Sequence, residues 1–242
     1  MDRMIYLSMS GAKATMQRQD VLSNNLANVS TVGFRAELAA FRAVPVRGDG
    51  ASTRVYALES TVGYKPEAGP VQVTGRNMDV AVAGDAWLAV QGLDGTEAYT
   101  RAGALDVSAD GTLVTRGAGL PVLGDGGPIN VPANSEVSIG DDGTLSAKGT
   151  NGKVTTIGRL KLATPQAPLQ RGEDGLFRAA DGNPLAADPN ARVQAGALEG
   201  SNVSPVETMV AMISAARQFE SQMKMLQTAE QDEQAATKLL SS

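Results

Sequence analysis

With neither cysteine nor histidine among its 242 residues, the chain offers catalysis only carboxylates, lysines, tyrosines and hydroxyls. Disulfides, zinc sites built on Cys or His, the histidine general base and the thiol nucleophile all drop out together. Paired carboxylates, which can cleave glycosidic bonds, are the main route left. The chain carries 26 Asp and Glu, but many of the acids sit in turn dipeptides, where the side chain has a backbone task. These are Asp94-Gly95, Asp110-Gly111, Asp125-Gly126, Asp142-Gly143, Asp174-Gly175 and Asp181-Gly182, with Asn151-Gly152 as an amide equivalent. No Gly-x-Ser-x-Gly elbow occurs. The run Gly149-Thr150-Asn151-Gly152-Lys153-Val154 lacks the spacing and the hydroxyl of a phosphate loop. Asp141 and Asp142 do not have calcium-loop spacing around them. The inventory therefore points away from an enzyme, and it assigns no catalytic residue, no metal ligand and no cofactor.

The wider composition narrows the class further. A net charge of −5 argues against nucleic acid as a partner, because phosphate binding needs concentrated Lys and Arg. No apolar run is long enough to span a bilayer. The opening Met1-Asp2-Arg3-Met4-Ile5-Tyr6 lacks the basic flank and apolar stretch of a secretory signal peptide, so any export would use another route.

The elements that position these residues fall into three stretches. Residues 1–29 contain no Pro and a single Gly, Gly11, and read as helix. From Ser204 onward there is one Pro and no Gly, with Ala, Gln, Glu, Met and Leu abundant. The middle is dense in Gly, Pro, Thr and Val, and its turn dipeptides bound short strand-like runs such as Val80–Val82, Trp87–Val90, Glu136–Ile139 and Leu160–Leu162. Short strands at close spacing imply an antiparallel all-β body. The expected division is 1–36 (helix and turn), 37–78 (extended or β linker), 79–184 (β body), 185–203 (returning β segment) and 204–242 (second helix, pairing with 1–30).

Both helices carry an apolar stripe. In the second, Met209, Met212, Ala216, Phe219, Met223 and Leu226 alternate steps of three and four, the spacing of a heptad seam. Ser204, Pro205 and Glu207 provide its start. In the first, Ile5, Met9, Ala12 and Met16 are followed by Leu22, Leu26 and Val29, with Gln19 and Ser23 interrupting. The stripes can bury on each other, complete the core of the β body, or bind an outside partner.

Four segments resemble the rod and hook proteins of the bacterial flagellum. They are Ser23-Asn24-Asn25-Leu26-Ala27-Asn28-Val29-Ser30-Thr31-Val32-Gly33-Phe34-Arg35; Thr74-Gly75-Arg76-Asn77-Met78-Asp79-Val80-Ala81-Val82 with Gly84 and Trp87–Val90; Tyr99-Thr100-Arg101-Ala102-Gly103 with Asp110-Gly111; and Leu198-Glu199-Gly200-Ser201-Asn202-Val203-Ser204-Pro205 running on to Ala216-Arg217-Gln218-Phe219-Glu220. They appear in the family's order and cover the chain from about Met1 to Leu226. The opening and the Ala216–Glu220 run look most like the family's proximal-rod branch, with the distal rod as nearest rival. Arg76 and Trp87 depart from the residues usual in relatives.

The resemblance implies a subunit that assembles with copies of itself and with other rod subunits and leaves the cytoplasm through the flagellar type III export apparatus. It implies a place in the periplasmic rod, which transmits torque, with the terminal helices paired in a discontinuous coiled-coil-like domain. Expected subunit contacts are Ile5, Met9, Ala12, Met16, Asn24, Asn25, Leu26, Asn28, Gly33, Phe34 and the six stripe residues of the second helix. Asn28 also suits a local helix cap, and Gly33 a turn barred to a β-carbon. Glu230, Glu233 and Gln234 suit either a wet channel or a solvated terminus. Arg217, Glu220 and Lys224 read as inter-subunit ion pairs or as an ordinary wet face. The rival classes are a β-rich glycan-binding module and a peptidoglycan hydrolase.

Overall fold

The structure is a computed structural model that describes residues 2–45 and 55–240, with side chains at 8–40, 63–232 and 234–235. The side chains of Ile5 and Glu233 lie outside the described residues. The chain forms two compact units, one of residues 1–29, 36–65 and 203–242, the other of 30–35 and 66–202.

The terminal unit holds two helices and a hairpin. Helix α1 spans Asp2–Ala27, strands β1 and β2 span Glu37–Pro45 and Val55–Tyr64, and helix α2 spans Pro205–Leu240. Within the segment expected as an extended or β linker, Glu37–Pro45 and Val55–Tyr64 form an antiparallel hairpin, closed at its base by the Lys65 amide donating to the Ala36 carbonyl at 2.8 Å. Helix α2 begins as its residues dictate. Pro205 takes the first helical position, and the Ser204 hydroxyl accepts from the Glu207 amide at 3.4 Å.

The two helices pack on each other, and α1 also packs on the hairpin. The residues they withdraw from solvent are small or polar: Ser8, Ala12 and Thr15 on α1, Thr208 and Ala215 on α2. Buried hydroxyls are tolerated because they bond within their own helix, Thr15 to the Gly11 carbonyl and Thr208 to the Ser204 carbonyl, each at 2.8 Å. The expected seam on α2 is therefore corrected in register. Thr208, Met212, Ala215, Phe219, Gln222 and Leu226 are the buried or half-buried line, whereas Met209 and Met223 stay exposed. The cause is close approach: the Gln222 amide carbon lies 3.1 Å from where a Gly11 β-carbon would sit. At that level a bulkier side chain would hold the helices apart.

The body unit is antiparallel β throughout. Strands β3 (Val71–Val73), β4 (Val80–Val82), β5 (Trp87–Gln91) and β6 (Glu97–Thr100) open it. β5 and β6 are central in a five-stranded sheet with 162–163, 177–178 and 170–171. The strands Glu136–Ile139, Thr144–Lys148 and Val154–Arg159 make a meander, 105–107 pairs with 113–115, and β3 and β4 pair with 197–199 and 193–195. Leu88, Val90, Leu105, Leu113, Val122, Leu145, Leu160 and Leu162 are almost completely buried in the core. Relative to the expected 79–184 body, the unit also takes in 30–35, 66–78 and 185–202.

Asp125-Gly126 is a two-residue loop between the paired Gly124 and Gly127, but most of the other turn dipeptides close hairpins by a geometry different from the expected one. Only glycine takes positive φ in them, as at Gly95 (+79°) and Gly143 (+81°). In the first, the Gly95 amide donates to the Gly92 carbonyl at 2.9 Å and the Gly92 amide to the Thr96 carbonyl at 2.8 Å. The same pairings recur at 140–144, 149–153 and 172–176. This is a type I turn followed by a glycine bulge, rather than a two-residue turn needing positive φ at both positions.

The aspartate bonds the residue two ahead, and those bonds hold its carboxyl ionised. Hydrogen bonds from Thr96, Thr144 and Asn183 lower the carboxyls of Asp94, Asp142 and Asp181 below the ordinary 3.8, and Arg178 does the same for Asp174. A carboxyl depressed in the folded state stabilises the fold above its unfolded value and ceases to as pH falls through the folded one. The urea midpoint of the body is accordingly expected to hold from neutrality down to the ordinary carboxylate range and to drop across the interval below it. A midpoint that is level across that interval would contradict this role for the turns.

Candidate assembly site

Three of the four signature segments meet at one buried carboxylate. Glu199 Oε1 lies 2.8 Å from an Arg35 guanidinium nitrogen, and Oε2 lies 2.5 Å from one on Arg101. All three side chains are 3% exposed or less. One carboxylate cannot satisfy two guanidinium groups, and backbone carbonyls take several of the other donors. Arg101 donates to Val82 at 2.8 Å, to Gly84 at 2.9 Å and to Ala86; Arg35 donates to the Glu67 carbonyl. The second segment supplies Trp87, whose ring centre is 6.0 Å from each guanidinium carbon. Trp87 also tilts against Phe177, with ring centres 4.6 Å apart.

Glycine makes the close approaches possible. Gly33 has φ of +69° and donates to the Glu199 carbonyl at 2.8 Å, and a β-carbon there would lie 2.3 Å from the Arg101 carbonyl carbon. A β-carbon on Gly103 would lie 1.7 Å from the Val80 oxygen. Phe34 is buried, and the Arg171 guanidinium carbon sits 4.7 Å from its ring centre. Gly33 and Phe34, expected at subunit contacts, are thus sealed within the body unit.

The asparagines are engaged within the terminal unit. Buried Asn25 donates to the Glu37 carbonyl at 2.9 Å and accepts from the Glu37 amide at 2.8 Å, mimicking a strand partner for the first residue of β1. That is a different task from the expected inter-subunit one. Asn24 donates to the Glu37 carboxylate at 2.8 Å, and Asn28 caps α1 by donating to the Asn24 carbonyl at 2.9 Å. Replacing Asn25 by alanine strands both backbone groups of Glu37 and should destabilise the terminal unit by about 1–3 kcal/mol. A helix-unfolding midpoint unchanged in Asn25→Ala would contradict this.

The outer faces of the helices show the opposite chemistry to the buried ones. Met9 and Met16 are 55% and 56% exposed on α1, one heptad apart. On α2, Val206, Met209, Val210 and Ile213 are each at least half exposed, and their i, i+3, i+4, i+7 spacing places them on one side. Met223 and Met225 extend the exposed apolar surface. Ala12, Leu26, Met212, Ala216, Phe219 and Leu226 border it, buried or half-buried. Arg217, Glu220 and Lys224 are exposed and make no ion pair with one another. Sequence periodicity marked Met9, Met16, Met209 and Met223, but not Val206, Val210, Ile213 or Met225.

Carboxylates line a cleft of about 470 Å³ in the body, together with Lys161: Glu97 and Asp125. Glu97 is held there by Lys161 at 2.8 Å and accepts from the Tyr99 hydroxyl at 2.7 Å. Burial pushes the Tyr99 hydroxyl up and keeps it protonated.

A β body flanked in sequence by terminal helices that expose large apolar side chains has the form of a structural, assembling subunit. Three family profiles match the chain: "Flagella basal body rod protein" over residues 5–35, "Flagellar hook protein FlgE/F/G D1 domain" over 81–147 and "Flagellar basal body rod FlgEFG protein C-terminal" over 194–239. Flagellar basal-body rod protein FlgF of Salmonella typhimurium is 47% identical over 251 aligned residues, covering 100% of this chain and 99% of the relative. FlgF of Escherichia coli is 45% identical with the same coverage, and FlgG of Bacillus subtilis is 32% identical over 95% of this chain and 96% of its own length. The chain belongs to the FlgF family of flagellar basal-body rod proteins, a family of structural, non-enzymatic subunits.

Proposed function

We propose that the chain is a proximal-rod subunit that polymerises with copies of itself and with other rod subunits through the outer faces of its helix pair. The observation that carries this reading is the inverted amphipathicity of the pair. Small and polar residues are buried inside the subunit, while Met9, Met16, Val206, Met209, Val210 and Ile213 face water. An isolated protein gains nothing from that arrangement; a polymer buries the outer face between subunits. Met223 extends the same contact. The exposed polar residues Glu230 and Gln234 suit a wet channel or a joint between subunits.

In this reading the subunit leaves the cytoplasm through the type III export apparatus and works in the periplasm, where the rod carries torque from motor to hook. Identity of 47% and 45% to the FlgF proteins of Salmonella typhimurium and Escherichia coli, against 32% to the FlgG of Bacillus subtilis, supports the proximal over the distal position. Tagging the chain and purifying basal bodies tests the proposal, with a deletion strain beside it. The tagged chain is expected in the rod, and the deletion strain is expected to lack complete rods and to be non-motile. Complete rods in the deletion strain would overturn it.

A further inference from the structure

The chain passes between its two units four times, at 29/30, 35/36, 65/66 and 202/203. On the body side, every one of those passages is fastened to the surroundings of Glu199. Segment 30–35 is held by Arg35 on the Glu199 carboxylate and by the Gly33 amide on the Glu199 carbonyl. The segment beginning at 66 is held by the Gly69 amide, 3.1 Å from Glu199 Oε1, and by the Glu67 carbonyl, which accepts from Arg35 and from the Asn202 amide group at 2.8 Å. The outgoing segment is held by the Gly200 amide on the Pro70 carbonyl at 2.8 Å and the Asn202 amide on the Phe34 carbonyl at 3.2 Å.

We infer that the Arg35–Glu199–Arg101 triad is a clamp that keeps the body unit closed when force reaches it along the chain from the terminal helices. This rests on the rod reading above, which supplies the force. A pull at residue 30, 35, 66 or 202 meets the clamp before it reaches the strands of the core. The bonds there join three separate segments, so they share the load rather than open one after another. The triad is desolvated, so salt does not weaken it as it weakens surface pairs. Opening it strands buried charge of both signs at once. A carboxylate set between two guanidinium groups is a costly way to build a core, and an apolar cluster would serve an unloaded domain as well.

The test uses the full chain and two variants. Glu199→Gln leaves two buried guanidinium groups without a counter-ion. Arg35→Met keeps the Arg101–Glu199 pair and is the variant to rely on if the first fails to fold. Cleavage by a nonspecific protease within 30–36 and 66–70 is expected to accelerate on the order of a hundredfold, while the 79–198 core resists. Emission from Trp87, the single tryptophan, is expected to shift with it. Cells carrying Arg35→Met are expected to build basal bodies in normal number but to lose swimming steeply as medium viscosity rises. Unchanged cleavage and emission would overturn the clamp. Rapid cleavage with undiminished swimming at high viscosity would overturn its role under load. Absence of the wild-type chain from basal bodies would remove the rod reading instead, and the cleavage result would still decide whether the clamp exists.

Discussion

Replacing Ile213 by aspartate leaves the free subunit as stable as the wild type and abolishes its incorporation into the rod. The residue is 56% exposed in the single chain, and surface substitutions of that kind usually change stability by no more than about 0.5 kcal/mol. In the polymer the same position lies on the face formed by Val206, Met209 and Val210. An aspartate there would be desolvated without a partner, at a cost of several kcal/mol for every subunit added. Because the cost recurs along the assembly, the expected outcome is loss of rods and motility rather than a graded defect. Thermal unfolding of the purified variant, set against its recovery in basal bodies, separates the two effects. Normal recovery of Ile213→Asp would remove this face from the contact. Phe219→Asp is a less clean experiment: Phe219 is half-buried in its own subunit, so its replacement disturbs the helix pair as well.

Alanine at Gly33 is expected to cost the body unit about 2–5 kcal/mol, from two sources that add. The φ of +69° strains any residue with a β-carbon, and that carbon would lie 2.3 Å from the backbone of Arg101, which has no flexible end to move aside. Gly75 supplies the control. Its φ is +70°, but no atom lies within 4 Å of a β-carbon there, so Gly75→Ala should cost only the backbone strain, about 1 kcal/mol. Urea unfolding followed by Trp87 emission reports both. Equal midpoints for the two variants would mean that the close packing of Gly33 on Arg101 does not matter for stability.

The architecture was legible because its signals are local. Proline and glycine are nearly absent from both ends, and Asp-Gly pairs punctuate the middle, so helices and short strands could be placed without knowing what touches what. The signature resemblance supplied the pairing of the helices. The side of α2 that packs inward was legible only at Met212, Phe219 and Leu226, since apolar periodicity identifies the most hydrophobic line and assumes it is buried. Here the inward line is Thr208, Ala215 and Gln222 with Met212 and Phe219, and the methionines at 209 and 223 point outward. In a polymerising subunit the most apolar face can belong to the neighbour.

The triad was hidden for a different reason. Arg35, Arg101 and Glu199 all stand in the matching segments, yet nothing in a linear sequence distinguishes a buried charge from a solvated one. Arg35 and Glu199 are separated by most of the chain. The task of Asn25 is hidden by the same limit: an amide at a helix end suits a subunit contact, and only the position of Glu37 shows that both its polar atoms are occupied within the chain.

The account turns on the outer face of α2 being exposed in the free subunit and covered in the rod. Because the chain has no cysteine, a single Val210→Cys variant gives an unambiguous probe. Its maleimide labelling should be measured in the purified subunit and in intact basal bodies. Fast labelling of the subunit and strong protection in the basal body is the predicted result. Equal labelling in both would contradict the claim that rod subunits join through this face.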